Sequence, residues 1–461
     1  MNTRNLFLLS ALCSLSSLAA DWTVSIDPSV RIGAIKPVNA VNCGPCNPNS
    51  AQGKAYKAAN IPFARTHDMN HSWTYGGPYV IDISAIFPNF DADETNSENY
   101  DFALTDRALD WMFKAGTKPF FRLGQSIEPW GKTYHVNPPK DYAKWARICE
   151  HIIAHYTEEW AQGKKWDIKY WEIWNEPDLD KKTWTGTKEE FFEFFKVTLK
   201  HLKARFPNLK IGGPAMAHPF RWKDFFIPAC AKENLPLDFY SWHRYCNDAR
   251  ESSRYGREVR EYLDKYGYKK TESIYNEWNY VKGWSGGDWR YSRQVESSVF
   301  NQKAAAYAAA TMIECQNSPI DMAMYYDVRT YGGMNMLFDS ITHQPLRGDY
   351  PFYAWGRMLK DYPEQIKCTL VPDGDKLNDL FAVAARSKSG KIAIYLARYT
   401  DDNNVRNDIT IRLNLPKAEH YRCHLTDDWR IYTEFPLETT SDGAIELTIV
   451  PSSFVFIEVG M

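Results

Sequence analysis

The sequence predicts an α/β protein, a (β/α)8 TIM barrel followed by an all-β domain of the sandwich type. Two patterns carry that expectation. From about residue 32 to 362, short runs rich in β-branched and aromatic residues alternate with longer amphipathic ones, the signature of parallel strands joined by crossover helices. After Tyr362 the helical runs stop, and short apolar segments follow one another between Gly, Asn and Asp turns. A length of 461 residues also exceeds one ordinary core, which implies a large domain with a smaller one.

Residues 1–20 read as an export signal. Arg4 supplies a positive charge, residues 6–18 are apolar and Ser-rich, and Ser17-Leu18-Ala19 places small residues around a cleavage point, so that a mature chain starts near Asp21 in the periplasm or outside the cell. The barrel is then expected over 21–362, with strands at 34–42, 63–67, 117–123, 170–174, 209–213, 238–243, 272–276 and 322–326. Between them, stretches such as 142–160 and 191–206 repeat apolar residues at helical spacing. An open doubly wound sheet is the weaker alternative, because no Gly-rich phosphate loop follows the first strand. The all-β domain occupies 363–461. Its last run sets Phe454, Phe456 and Glu458 against Val455, Ile457 and Val459, so both of its faces are expected to be covered.

With 44% hydrophobic and 24% charged residues and no run of about 18 apolar residues, the composition is that of a globular chain without a membrane span. Lys and Arg number 55 against 57 Asp and Glu, a net charge of -2 that gives no reason to expect nucleic acid and suits a neutral substrate. The aromatic share is 15%, with 17 Trp and 28 Tyr, and flat rings pack well on the C–H faces of sugars. Trp73, Trp130, Trp278, Trp284 and Trp289 fall in expected loops on the carboxyl side of the barrel and are candidate sugar platforms. Cys43-Gly44-Pro45-Cys46 has a redox spelling, but it runs into Asn47-Pro48-Asn49-Ser50, loop chemistry that favours a local disulfide or plain thiols. Cys368 and Cys423 are candidates for a pair.

Barrel active sites lie at the carboxyl ends of the strands, so the residues where each β-run stops carry the chemistry. Two such ends hold glutamates, Trp171-Glu172-Ile173-Trp174-Asn175-Glu176-Pro177 on the fourth and Ile274-Tyr275-Asn276-Glu277-Trp278-Asn279 on the seventh. Carboxyl groups facing each other about 5 Å apart can hydrolyse a glycosidic bond with retention, one protonating the leaving oxygen and the other attacking the anomeric carbon. Glu172 shares the face of Trp174 and points deeper, where an ion pair with Arg122 is expected instead of chemistry. His67, Asp68 and His71 could be read as metal ligands, but the four-residue His spacing suits a helix better than a strand end, so no metal and no cofactor are expected.

These segments resemble the retaining glycoside hydrolases whose barrels carry an Asn-Glu-Pro acid/base after strand four and a Glu nucleophile at strand seven, family 39 (β-xylosidases and α-L-iduronidase) above all. The resemblance runs through Ala64-Arg65-Thr66-His67, Leu123-Gly124, residues 171–179, Gly212-Gly213-Pro214, Asp238-Phe239, His243-Arg244-Tyr245 and Tyr275-Asn276-Glu277. It implies Glu176 as acid/base and Glu277 as nucleophile, Asn175 on the sugar 2-hydroxyl, Arg65 and Tyr245 on the Glu277 carboxylate, and His67 and His243 at the bound sugar, where the loop indoles Trp278 and Trp130 are candidates by their placement. Arg65-Thr66-His67-Asp68 and the Trp278-Asn279 flank depart from the usual xylosidase pattern. The expected activity is that of an exo-acting, β-xylosidase-like enzyme on an oligosaccharide or glycoside. The alternatives are an endo-acting glycanase of the same clan and a catalytically inactive carbohydrate-binding protein.

Overall fold

The first strand, β1 (Trp22–Ala34), does not belong to the barrel that follows it. The barrel consists of β2 (Ala40–Asn42), β3 (Phe63–Arg65), β4 (Lys118–Leu123), β5 (Tyr170–Ile173), β6 (Lys210–Met216), β7 (Phe239–His243), β8 (Glu272–Trp278) and β9 (Met322–Tyr325), in the computed structural model of the chain. These strands pair in chain order, all parallel, and β9 closes on β2 through Ala40 with Met324 and Val41 with Tyr325. The described residues are 20–45, 47–69, 79–126, 136–179, 181–283, 301–330, 334–416, 418, 420–440 and 443–460. The expected export signal at 1–19, Cys46, His71 and the loop tryptophans Trp73, Trp130, Trp284 and Trp289 lie outside them.

Helices cover the outside of the barrel, so its strands are buried on both faces and largely apolar, as parallel sheets require, with Arg122 and Glu172 as charged exceptions in the interior. Inside, Ala40, Phe120, Tyr170, Phe239, Ile274, Met322 and Met324 form one cluster that fills the amino end of the lumen. Polar side chains are left for the carboxyl end. Helix entry is marked locally: Asp141 caps Tyr142–Thr157, and Thr187 with Glu190 forms a capping box on Lys188–Arg205.

The second domain is a ten-stranded, mostly antiparallel sheet made of β1 with β10 (Glu364–Pro372), β11 (Leu380–Arg386), β12 (Ile392–Arg398), β13 (Ile409–Asn414), β14 (His420–Thr426), β15 (Thr433–Phe435), β16 (Glu438–Thr439), β17 (Ile445–Ile449) and β18 (Ser453–Gly460). Leu425 of β14 and Leu447 of β17 lie far apart in the strand order yet share one core, so the sheet curls upon itself. The expected division at residue 21 misplaces β1, which pairs antiparallel with β10 and parallel with β13. Its alternating burial, Trp22, Val24 and Ile26 inward, fits a half-covered antiparallel sheet and not a barrel strand.

β18 is covered on both faces as its alternation predicts. Val455, Ile457 and Val459 join the sheet's own core, whereas Phe454 and Phe456 join the barrel's. Between barrel and sheet lies the helix Gln302–Gln316, whose alanines Ala304 to Ala306 and Ala308 to Ala310 are buried on every side. Small side chains let both domains approach its backbone. Cys368 and Cys423 are free thiols, as are the other described cysteines, so the pair considered from sequence does not form.

Gly212 and Gly213 sit where β6 is pressed between its neighbours. A Cβ on Gly212 would lie 2.2 Å from the Phe239 carbonyl oxygen, and one on Gly213, at φ 138°, would lie 2.7 Å from that of Ile173. Since Ile173 leads directly into Asn175 and Glu176, Gly213→Ala is expected to destabilise the fold by about 1–3 kcal/mol. Gly33→Ala, with nothing within 4 Å of the added atom, is the control expected to stay within about 0.5 kcal/mol. Chemical denaturation of both variants checks this.

Candidate active site

Glu176, just past the end of β5, and Glu277, in the last residues of β8, meet at the carboxyl mouth of the barrel, both buried. The turn after β5 is tight: Trp174 and Glu176 adopt left-handed φ values of 74° and 47°. It is held by the Trp174 amide on the Leu123 carbonyl and the Glu176 amide on the Ala215 carbonyl, both of which tie it to neighbouring strands. A non-Gly residue there is strained, and strain of this kind is kept where it aims a side chain.

Arg65, at the end of β3, organises the floor. Its Nη1 donates to Glu277 Oε1 at 2.6 Å, its Nε to Glu172 Oε2 at 2.6 Å, its Nη2 to Asn175 Oδ1 at 2.6 Å, and Nη1 also reaches Asn42 Oδ1 at 3.2 Å. Tyr245 donates to the second Glu277 oxygen at 2.6 Å. Both expected contacts of Glu277 are therefore present. His243 Nδ1 lies 2.8 Å from Glu176 Oε1 and 3.3 Å from Glu277 Oε2, between the two carboxyl groups. Glu176, His243 and Glu277 each offer an oxygen or nitrogen within 4.8 Å of the others.

Burial dominates the protonation states. It pushes Glu176 up to about 8, helped by the neighbouring Asp178 carboxylate, and Glu277 up to about 7, where Arg65 and the Tyr245 hydroxyl partly offset it. Burial lowers His243 to about 4 and holds His67 well below its ordinary range, so both imidazoles are neutral near pH 7. The acid/base candidate thus stands above the nucleophile candidate, in the order that Arg65 and Tyr245 beside Glu277 imply.

Two expectations fail. Glu172 does not pair with Arg122. It takes Arg65 on one oxygen and Asn276 Nδ2 on the other at 2.6 Å, while Arg122 Nη2 goes to Asp82 at 2.7 Å. Alternate strands supply each layer of a barrel interior, so Glu172 meets a residue two strands away instead of its neighbour in the sheet. Trp278 is no sugar platform: β8 continues through it, alternation turns its indole away from the Glu277 side, and it is fully buried, stacked parallel on Phe352 with centroids 6.2 Å apart.

A cavity of about 520 Å³ opens above the two glutamates, lined also by His67, Asp68, His218, Arg221, Arg244 and Tyr326. Asp68 accepts from the Tyr326 hydroxyl at 2.9 Å, which in turn accepts from Arg329. Asp68 was considered from sequence only as a metal ligand, and Asn42, Asn276 and Tyr326 were not singled out. Asn42 and Asn276 sit at strand ends and were open to the same rule that found the glutamates, whereas Lys182, His218 and Arg221 lie in loops that carry no motif.

Removing the Arg65 guanidinium would leave Glu172 and Glu277 buried without a cation. Arg65→Met is expected to cost about 3–5 kcal/mol of stability, as breaking a buried ion pair does. Glu172→Gln, which keeps an acceptor and the Asn276 partner's neighbourhood, should cost clearly less; urea denaturation compares them.

A β-xylosidase of Caldicellulosiruptor saccharolyticus is 28% identical to this chain over 243 residues, 49% of this chain and 46% of that protein. The alignment therefore spans about half the length of that relative. Among solved structures, a glucosidase from Croceicoccus marinus superimposes with a TM-score of 0.74 at 21% identity over 96% of this chain and 99% of that one. A monomeric β-xylosidase from Caulobacter crescentus CB15 does so with a TM-score of 0.69 at 15% identity, over 95% and 99%. At these identities the two structures establish a shared fold. The sequence profile of glycosyl hydrolases family 39 matches residues 22–320, most of the chain, with Arg65, Glu176, His243, Tyr245 and Glu277 inside the match, and the chain belongs to that family.

Proposed function

We propose that the chain is a retaining, exo-acting β-glycosidase, β-xylosidase-like, in which Glu176 is the acid/base and Glu277 the nucleophile. The observation that carries this reading is the approach of the two carboxyl groups, whose oxygens come within 4.8 Å. Direct attack on the anomeric carbon needs a separation of about 5–5.5 Å, whereas inversion through a water needs roughly 6.5–9.5 Å. Protonated Glu176 gives its proton to the leaving oxygen as Glu277 forms the glycosyl-enzyme bond. Glu176, now ionised, takes a proton from the water that breaks that bond.

The surroundings fit these roles. Arg65 and Tyr245 occupy both oxygens of Glu277 and orient it while it is ionised. Asn175 Nδ2 and His67 Nδ1 are buried without a partner among the described residues, which suits them to meet sugar hydroxyls. The cavity volume suits one or two sugar rings, and the names of the relatives make aryl β-xylosides the first substrates to try. Export, from the leader in residues 1–20, would place the enzyme where glycans arrive from outside.

Glu277→Ala is expected to abolish turnover of aryl glycosides. Glu176→Ala should lose activity on poor leaving groups and regain it with azide on activated ones, releasing a β-glycosyl azide; unchanged activity in either variant refutes the assignment. The pH profile follows from the two carboxyls. Glu277 must be ionised, which fails as pH falls through about 7, and Glu176 must be protonated, which fails as pH rises through about 8. kcat/KM is therefore expected to trace a narrow bell between those values, and Glu176→Gln on an activated aryl glycoside should lose the alkaline limb alone.

A further inference from the structure

We infer that the leaving-group side of the cavity is an anion-accepting subsite, fitted to a sugar that carries a carboxylate or a sulfate; this rests on the glycosidase reading above. Glu176 delivers its proton to the leaving oxygen, so the loops flanking it face the departing sugar. Those loops follow β5, β6 and β7 and bring Lys182, Arg221 and Arg244 into the wall of the cavity that holds both glutamates. His67, Asp68 and Tyr326 line it from β3 and β9, across the barrel.

Among the described residues the three cations keep donors to spare. Lys182 has no acidic partner among the described residues. Arg221 donates Nη1 to the Asp178 carbonyl at 2.8 Å, but its Nε stands 3.8 Å from Asp178 Oδ2, beyond the roughly 2.7–2.9 Å of a charge-assisted hydrogen bond. The Asp178 oxygens are taken instead by the amides of Ala217 at 2.8 Å and His218 at 3.2 Å. Arg244 shares Glu251 with Arg254, which also has Glu258, and its own Nε is buried without a partner. His218, in the middle of this group, is held below its ordinary range by burial and then by Arg244, Arg221 and Arg254. Guanidinium groups lining a cleft favour a planar, doubly accepting anion, and a neutral glycan would leave their spare donors and the Lys182 ammonium without a charged partner.

The test separates binding from turnover. Glu277→Ala is titrated calorimetrically with matched pairs: a glucuronate-bearing xylo-oligosaccharide and its carboxyl-reduced form, and a sulfated galacto-oligosaccharide and its desulfated form. The anionic member of at least one pair is expected to bind about tenfold tighter or more at low salt, with the advantage shrinking at roughly 0.15 M salt. Which pair responds identifies the carboxylate or the sulfate. Adding Lys182→Gln and Arg221→Gln should bring the two members to similar affinity. Should that combination not fold, Lys182→Gln alone must reduce the preference. Equal affinities in both pairs, or a preference that survives these substitutions, overturns the subsite. If the unmodified enzyme turns over no aryl glycoside, the glycosidase reading falls and takes this one with it. If it does turn them over and no charge preference appears, only the anion subsite falls.

Discussion

One guanidinium holds the centre of this molecule together. Arg65 ties Asn42 of β2, Glu172 of β5, Asn175 just beyond it and Glu277 of β8 to a single planar group on β3. A planar fork of donors fixes both distance and direction, which a lysine ammonium would not. The barrel mouth is therefore cross-linked through its interior by charge. The apolar plug formed around Phe120, Tyr170 and Phe239 lies beneath, so the ion cluster is dry from below and meets solvent only through the cavity. That dryness is what lifts the Glu176 and Glu277 carboxyls toward neutrality and keeps His243 uncharged between them.

Much of this was legible in the sequence because it is written in strand ends. All eight barrel strands fall within or overlap the expected β-runs, and Glu176, Glu277, Arg65, His67, His243 and Tyr245 stand at or just past the ends of those runs. Interior pairing was less legible. Whether Glu172 meets Arg122 or Arg65 depends on how the tilted strands are layered, and no local pattern encodes that. Trp278 misled because it follows Glu277, yet alternation along β8 turns it to the opposite face. β1 escaped notice for a related reason: its partners, β10 and β13, are more than 300 residues away.

Net charge proved a poor guide to the site. A balance of -2 averages over the entire surface, whereas a ligand meets only the few groups around a cleft, where low-dielectric walls concentrate the field. Here those groups are sorted by strand: carboxylates and neutral imidazoles on the floor, arginines and a lysine on the rim beside Glu176.

β1 lies between β10 and β13, so two segments at opposite ends of the described chain are woven into one sheet. The second domain is consequently not a module in the genetic sense. It cannot be gained, lost or exchanged by joining a single stretch of coding sequence, because one of its central strands is encoded ahead of the barrel. During synthesis β1 must also wait, unpaired, until the barrel and then β10 have left the ribosome. The sheet thereby acts as a clasp fastened last, and its closing covers the alanine face of Gln302–Gln316 that a barrel alone would expose.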